Sequence, residues 1–391
     1  RELFRRSLRR QFPGWRLADL STEPDLEHSL SPSFPRALLT RGVTGWAAIA
    51  APPESVEAAG ALSFGLIWLD YLRRRERRLT IEGLAIFVPE GRQNATCLRL
   101  RYLNPELAQY ALFVYSPEGY EERLDPSDSG NLDTRLEPCP APPPGASHPL
   151  AARLSRLDGV ETVPAPDGGL SFRIRGLELA RWTGSELVFG LTEKQAATLA
   201  DWPRIEALAG ELARWRSPEA ADRYHPLFLR APEAWLESQV RASLRTIDPL
   251  LEPAPVYGQV LAFAGVERGI IDLLAVDAGG RLAVLELKAT ADLHLPLQAL
   301  DYWMRIRWHL ERDEFRTRGY FPSRRLARQT PRLLLIAPAL EFHPTSEILL
   351  RALSPEVPVE RIGLAADWRR QVRVLFHLRG AARPELAPIS A

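Results

Sequence analysis

The stretch from Gly269 to Lys288 constrains the fold more than any other part of the 391 residues. Two runs rich in β-forming residues flank Ala278-Gly279-Gly280, which is a hairpin signal. With those three residues as the loop, Asp277 faces Arg281 and Asp272 falls opposite Glu286. Side chains alternate with a period of two, so Lys288 joins the same face, opposite Ile270. A slip of one residue would send Asp272 and Glu286 to opposite faces. The remaining positions are apolar on both faces: Ile270, Leu274, Val276, Leu282 and Val284 on one, Ile271, Leu273, Ala283, Leu285 and Leu287 on the other. Strands of that kind belong in the middle of a sheet covered on both sides.

Two carboxylates and an ammonium on a buried strand pair are costly without partners. A divalent cation is one such partner, since hard carboxylate oxygens suit Mg²⁺ or Mn²⁺. An internal salt bridge of Lys288 with Glu286 or Asp272 is the other. The flanking segments add weight to the cation. Downstream, Pro296 suits a first helical turn, and Gln298 and Tyr302 at i and i+4 share one face of the helix that follows. Upstream, Pro232 opens a helix in which Glu237, Val240 and Leu244 form one stripe. That stripe turns an acid toward the apolar side, as an extra ligand or as a support for one.

Asp272, then Glu286-Leu287-Lys288, then Gln298 and Tyr302 in Gln-x-x-x-Tyr spacing resemble the PD-(D/E)XK nuclease superfamily. The RecB-type and archaeal single-strand endonuclease branch carries the same Gln-x-x-x-Tyr element, and the resemblance covers residues 231–380. Ile271 stands where the superfamily's name has proline. The resemblance implies an α/β domain with a restriction-endonuclease-like αβββαβ core and a Mg²⁺-dependent endo- or exodeoxyribonuclease. The partner would be DNA, in repair, recombination or defence. By the same resemblance, Asp272 and Glu286 hold Mg²⁺ or Mn²⁺ with the Leu287 carbonyl, and Glu237 is the added ligand. Lys288 orients the attacking water and steadies charge on the phosphate, while Gln298 and Tyr302 position the strand or the lysine. The competing expectation is a nuclease-like module that binds nucleic acid or a protein without turnover.

The run from Pro138 to Gly145 removes helix and sheet donors and reads as a linker. It divides an N-terminal domain, 1–137, from a small middle domain, 150–224, with the linker over 138–149 and the nuclease-like domain over 225–391. Both earlier domains read as mixed α and β of no assigned family. In the first, Ala61–Arg77 reads as a helix and Leu84–Val88, Cys97–Tyr102 and Tyr110–Tyr115 as strands. In the second, Ser171–Arg175 and Leu187–Leu191 read as strands and Glu193–Trp215 as helical. In the last, Leu333–Ala337 and Gln371–Leu378 read as strands and Thr345–Leu353 as a helix. Leu79–Tyr115 has an element order like a degenerate copy of the three-stranded core, without its acids and lysine.

Fifty basic against 49 acidic residues, a net charge of +1, argue against a polyanion-coating protein but leave room for a local basic site. Arg305–Arg332 holds nine arginines and three acids. Arg305, Arg307, Arg324 and Arg325 are therefore candidate phosphate contacts, with Trp308, Tyr320 and Phe321 available for base stacking. The alternative is an ordinary solvated surface in a chain with 48 arginines, whose only lysines are Lys194 and Lys288. Two cysteines exclude a disulfide framework, and the longest apolar stretch, Ala58–Leu69, is too short for a membrane span. A cytoplasmic setting away from membranes is expected. Phosphate-loop, Gly-x-Gly-x-x-Gly and His-Glu-x-x-His motifs are missing, which disfavours an ATPase, a Rossmann dehydrogenase or a zincin.

Overall fold

The computed structural model describes residues 1–55, 58–128, 134–140, 148–165, 168–264 and 267–383. Among these residues the chain is mixed α/β, with three sheets and eleven α-helical segments. The first unit opens with α1 (Glu2–Gln11) and the strands β1 (Arg16–Ser21), β2 (Arg36–Arg41) and β3 (Thr44–Ala50). It continues through α2 (Gly60–Arg75), β4 (Thr80–Pro89), α3 (Asn94–Leu100), β5 (Gln109–Tyr115) and β6 (Glu121–Leu124). These strands form one sheet in chain order. The β3–β4 and β4–β5 pairs are parallel and the others antiparallel. Each parallel step is spanned by a helix, as a parallel connection requires.

After β7 (Thr134–Leu136) comes the middle unit: α4 (Pro149–Leu154), the meander β8 (Glu161–Pro164), β9 (Leu170–Ile174), β10 (Leu177–Trp182), β11 (Leu187–Phe189) and β12 (Gln195–Ala196), and α5 (Trp202–Trp215). It has its own core around Phe172, Trp182 and Ile205. The last unit runs α6 (Pro226–Leu229), α7 (Pro232–Ala242), α8 (Leu244–Ile247), β13 (Tyr257–Ala264), β14 (Glu267–Val276), β15 (Leu282–Leu287) and α9 (Leu295–Glu311). It ends with α10 (Glu314–Thr317), β16 (Arg332–Pro338), α11 (Ser346–Ala352), β17 (Val359–Leu364) and β18 (Val374–Arg379).

From β13 to β18 the last sheet repeats the first one step for step. Its pairs run antiparallel, antiparallel, parallel, parallel, antiparallel, with α9 and α11 on the two parallel crossovers and α7 leading in. The two copies pack reciprocally: α2 of the first against α11 of the second, and α3 of the first against α9 of the second. One apolar core runs through both copies, from Trp68 and Leu112 to Trp303 and Leu349. Arg99 and Asp301 make a two-pronged ion pair across the seam, at 2.9 and 2.7 Å. Backbone bonds join Asn104 to Ala352 and Ser354 to Tyr102. The degenerate copy expected over Leu79–Tyr115 therefore exists with a different alignment: that segment is β4–α3–β5, the counterpart of β16–α11–β17, and the three-stranded core lies upstream in β1–β3.

Three expectations change. Cys97–Tyr102 is not a strand, since Asn94–Leu100 is helical and buries Thr96, Cys97, Arg99 and Leu100, a helical set rather than an alternating one. The helix expected from Glu193 begins only at Trp202, after a 3-10 turn over Leu199–Asp201 capped by Thr198 and Asp201, and Pro203 fits its first turn. β7, inside the expected first domain, pairs with β13 of the last sheet, so the chain crosses before the prolines do. Of the expected linker, 141–147 lie outside the described residues, and Pro149 already starts α4. No helix among the described residues is long and apolar enough to cross a membrane.

Candidate active site

The β14–β15 hairpin has the register read from its turn. Leu273 pairs with Leu285, Leu274 with Val284 and Val276 with Leu282, and Asp277 N–H donates to the Arg281 carbonyl at 2.9 Å. One step beyond the last pair, Asp272 stands opposite Glu286. Both sheet faces are covered, by α9 with the shared core on one side and by α7 with Trp235, Leu236 and Trp368 on the other. Glu286 is 2% exposed, and its Oε2 has no hydrogen-bond partner. Asp272 is partly buried, and its Oδ2 accepts the Leu287 N–H at 2.8 Å.

Burial pushes the Asp272 carboxyl up to about 6. The Leu287 N–H opposes that shift, and Glu237 adds to it. Burial, then the facing Asp272, holds Glu286 well above the carboxylate range. Burial alone would lower the Lys288 ammonium, but Asp292 and Glu286 reverse the effect and keep it cationic. The ion pair that Lys288 forms is with Asp292, at 3.3 Å, rather than the internal bridge to Glu286 or Asp272. Asp292 was not singled out in the sequence, although its i+4 spacing from Lys288 was a usable signal. On α9, Gln298 donates to the Tyr302 hydroxyl at 3.0 Å, as their spacing implied. Burial keeps that phenol protonated, with Glu286 and Asp272 among the charges it feels.

Glu237 is buried on α7, as its stripe implied, but its carboxylate is already engaged. Arg241 lies at 2.5 Å and Arg173, from the middle unit, at 3.9 Å. Gly258 makes room for this pair, since a Cβ there would stand 1.8 Å from the Arg241 guanidinium and 2.9 Å from Glu237 Oε1. Glu237 is not drawn into one ligand group with Asp272 and Glu286. It acts on Asp272 through its charge. Among the described residues, the three potential ligands that do converge, Asp248, Glu360 and His377, already enclose a cation: Arg332 sits 2.5 Å from Asp248 and 2.8 Å from Glu360.

The proposed phosphate contacts are spread over the last unit rather than gathered in one group. Arg305 is buried beside Tyr302, its guanidinium carbon 5.9 Å from the ring centre. Arg307 is held by Glu311 and Glu356 and lies over Tyr102 and Trp303 at the seam between the copies. Arg324 pairs with Glu252, and the Arg325 carbonyl lies 2.4 Å from the Cβ position of Gly280 in the hairpin turn. Gly280 is six residues before Glu286, about 20 Å at ~3.3 Å per residue. Tyr320 and Phe321 are buried against Tyr257, not offered to bases. Local charge in the sequence cannot report which end of a strand a loop returns to.

Comparison of the chain with protein-family models, with curated proteins and with solved structures gives no match. A buried carboxylate with an unpartnered oxygen, facing a second carboxylate, fits a hard divalent cation. Such a cation displaces protons from both acids, so its affinity should depend on pH. Mn²⁺ binding should weaken by up to about a hundredfold per unit as pH falls below 6, where both acids are protonated, with protons released on binding. Titration calorimetry in buffers of different ionisation enthalpy reads both quantities. A pH-independent affinity without proton release would mean the two acids are not the ligands.

Proposed function

We propose that this chain is a metal-dependent nuclease of the PD-(D/E)XK type that hydrolyses DNA phosphodiester bonds, serving repair, recombination or defence. One observation carries the reading: Asp272 and Glu286 face each other on covered strands, with Glu286 Oε2 unpartnered and Lys288 and the Gln298–Tyr302 pair beside them. The order α7–β13–β14–β15–α9–β16 supports a restriction-endonuclease-like core. Asp272 and Glu286 would hold Mg²⁺ or Mn²⁺, with the Leu287 carbonyl at the same strand end. When bound, the ion supplies charge that polarises the phosphoryl oxygen and acidifies water.

The protein groups have separate tasks. Lys288, held by Asp292, presents a fixed positive charge to the phosphate as negative charge builds there. Tyr302 accepts from Gln298, which leaves its own O–H to donate toward the carboxylates or the strand. Arg305 lies beside its ring, 5.9 Å from the ring centre, and Trp303 on the same helix is anchored by donating to the Pro331 carbonyl at 2.8 Å. The second reading, a silent binding module, draws on the fact that Lys288 already has a partner in Asp292.

Labelled single-stranded, flap and duplex DNA incubated with Mg²⁺ separates the two. Wild type should cut at least one of them, and Asp272→Ala should cut at least about 10²-fold more slowly. Equal rates in both proteins would sink the nuclease mechanism, and binding without cutting would favour the module.

A further inference from the structure

The two copies of the fold differ in what lies outside their leading helices. In the second copy the middle unit covers α7. Ser238 donates to Glu161 at 2.5 Å, and Arg173 reaches Glu237. Gly176 comes so close that a Cβ there would stand 1.8 Å from the Ala234 carbonyl oxygen. In the first copy α1 holds the corresponding place ahead of the first strand, and its outward residues are open to solvent.

The helix is two-sided. At ~3.6 residues per turn Phe4, Ser7 and Leu8 share one side, where they are buried, and Phe4 and Leu8 join the core on the outer face of the first sheet. Arg5, Arg6, Arg9 and Arg10 share the other. Arg1–Arg16 holds six arginines and one acid, in a chain whose net charge is +1. Glu2 takes up Arg5 at 3.4 Å, and Glu121, which also accepts from Ser7 and Gln11, lies 3.4 Å from Arg10. Arg6 and Arg9 are exposed at the middle of the outward side and have no acidic partner among the described residues. Arg5 with Arg9, and Arg6 with Arg10, are like charges at i and i+4, a spacing that works against an isolated helix. The positive surface continues past the helix end, where the Arg41 guanidinium lies 4.6 Å from the centre of the partly exposed Trp15 ring.

We infer that α1 binds the sugar–phosphate backbone of a nucleic acid, without regard to base sequence, through Arg6 and Arg9 with Arg5 and Arg10 flanking them. Guanidinium groups pair two-pronged with phosphate oxygens, and each contact releases counterions from the polyanion. Residues four apart on a helix are offset by about 6 Å along its axis, so each arginine pair can reach along a strand of phosphates. An anionic membrane fits less well, because Phe4 and Leu8 are spent inward against the sheet and cannot enter the acyl region. The inference stands apart from the nuclease reading: α1 lies on the outer face of the first sheet, whereas Asp272 and Glu286 belong to the last.

Fluorescence anisotropy of a short labelled DNA duplex, measured in chelator across a salt series, tests this. Wild type should bind, and the double variant Arg6→Gln, Arg9→Gln should bind about 10- to 100-fold more weakly at ~0.05 M salt, whatever the duplex sequence. The slope of log affinity against log salt should shrink by about 1 per arginine removed. Arg156→Gln, at an exposed arginine of the middle unit without an ion-pair partner among the described residues, should change neither quantity. The double variant relieves like charges and should melt no lower than wild type. Arg9→Gln alone should lose about 1 in slope, so the test survives a less stable double variant. Unchanged affinity and slope would overturn the proposal, as would equal weakening by Arg156→Gln. Competition by polyglutamate as strong as by unlabelled duplex would assign the face to an acidic protein segment, and binding to phosphatidylserine vesicles but not to duplex would assign it to a membrane. Either result overturns the proposal. Cleavage enters none of these measurements, so failure of the nuclease mechanism would leave the part of α1 standing.

Discussion

Glu286→Gln should abolish metal-dependent cleavage and, in the same protein, raise the melting temperature of the metal-free form. The two effects share one cause. Glu286 is 2% exposed with an unpartnered Oε2, so its ionised form has neither water nor a donor to stabilise it. Burial and the facing Asp272 hold its carboxyl well above the ordinary range. An acid whose pKa is raised on folding contributes stability below its unfolded pKa, roughly 4.3, and loses it as pH rises through the folded value. Glutamine does not titrate, and its amide can donate toward Asp272. The stability gap between variant and wild type should therefore open above about pH 5 and reach ~1–3 kcal/mol by pH 8. Saturating Mn²⁺ should close the gap by stabilising wild type alone. Differential scanning calorimetry across pH, with and without Mn²⁺, checks the pattern. A destabilised glutamine variant at pH 8 without metal would show that Glu286 has a compensating partner and is no cation site. On the proposed mechanism, cleavage should fall by at least about 10³-fold, since a bound ion and its water would depend on this carboxylate.

The reach of sequence reasoning differs sharply between the hairpin and everything around it. A two-strand register is a local property: turn chemistry and alternation over Gly269–Lys288 place Asp272 against Glu286 without further knowledge. The inward aim of Glu237 was legible for the same reason, because a helical stripe is local. What holds Glu237 was not legible, since Arg173 arrives from a separate unit. The placement of the arginine cluster was not legible because charge along a segment carries no direction in space. Arg324 and Arg325 return to the turn end of the hairpin, and Arg307 is spent on the seam between the copies. The duplication was nearly invisible for a different reason. At the register positions of Asp272, Glu286 and Lys288 the first sheet carries Arg36, Ile49 and Ala51, and what the two sheets share is the order and sense of six strands, a property no residue pattern displays.

Lys288→Arg should cost at least about 10²-fold in cleavage while leaving Mn²⁺ affinity within a few-fold of wild type. The charge is kept, so a purely electrostatic requirement would predict little change, and the substitution isolates geometry. Lys288 is half-buried between Asp292, at 3.3 Å, and the Glu286–Asp272 pair, which together hold its ammonium cationic. An ammonium is a compact point donor that can turn toward a water or a phosphoryl oxygen without leaving Asp292. A guanidinium is a planar fork that would pair two-pronged with one carboxylate and stay there. The chain uses arginine at 48 of its 50 basic positions, and lysine at Lys288 departs from that habit where the difference in shape matters most. Lys194, the other exception, is a half-exposed partner of Glu178 with no such demand. Single-turnover cleavage beside Mn²⁺ calorimetry on the same variant gives the answer. Retained cleavage within threefold of wild type would mean that any cation serves, and the ammonium would lose its assigned part. Loss of metal binding together with cleavage would place the lysine in the fold of the site instead of in its chemistry.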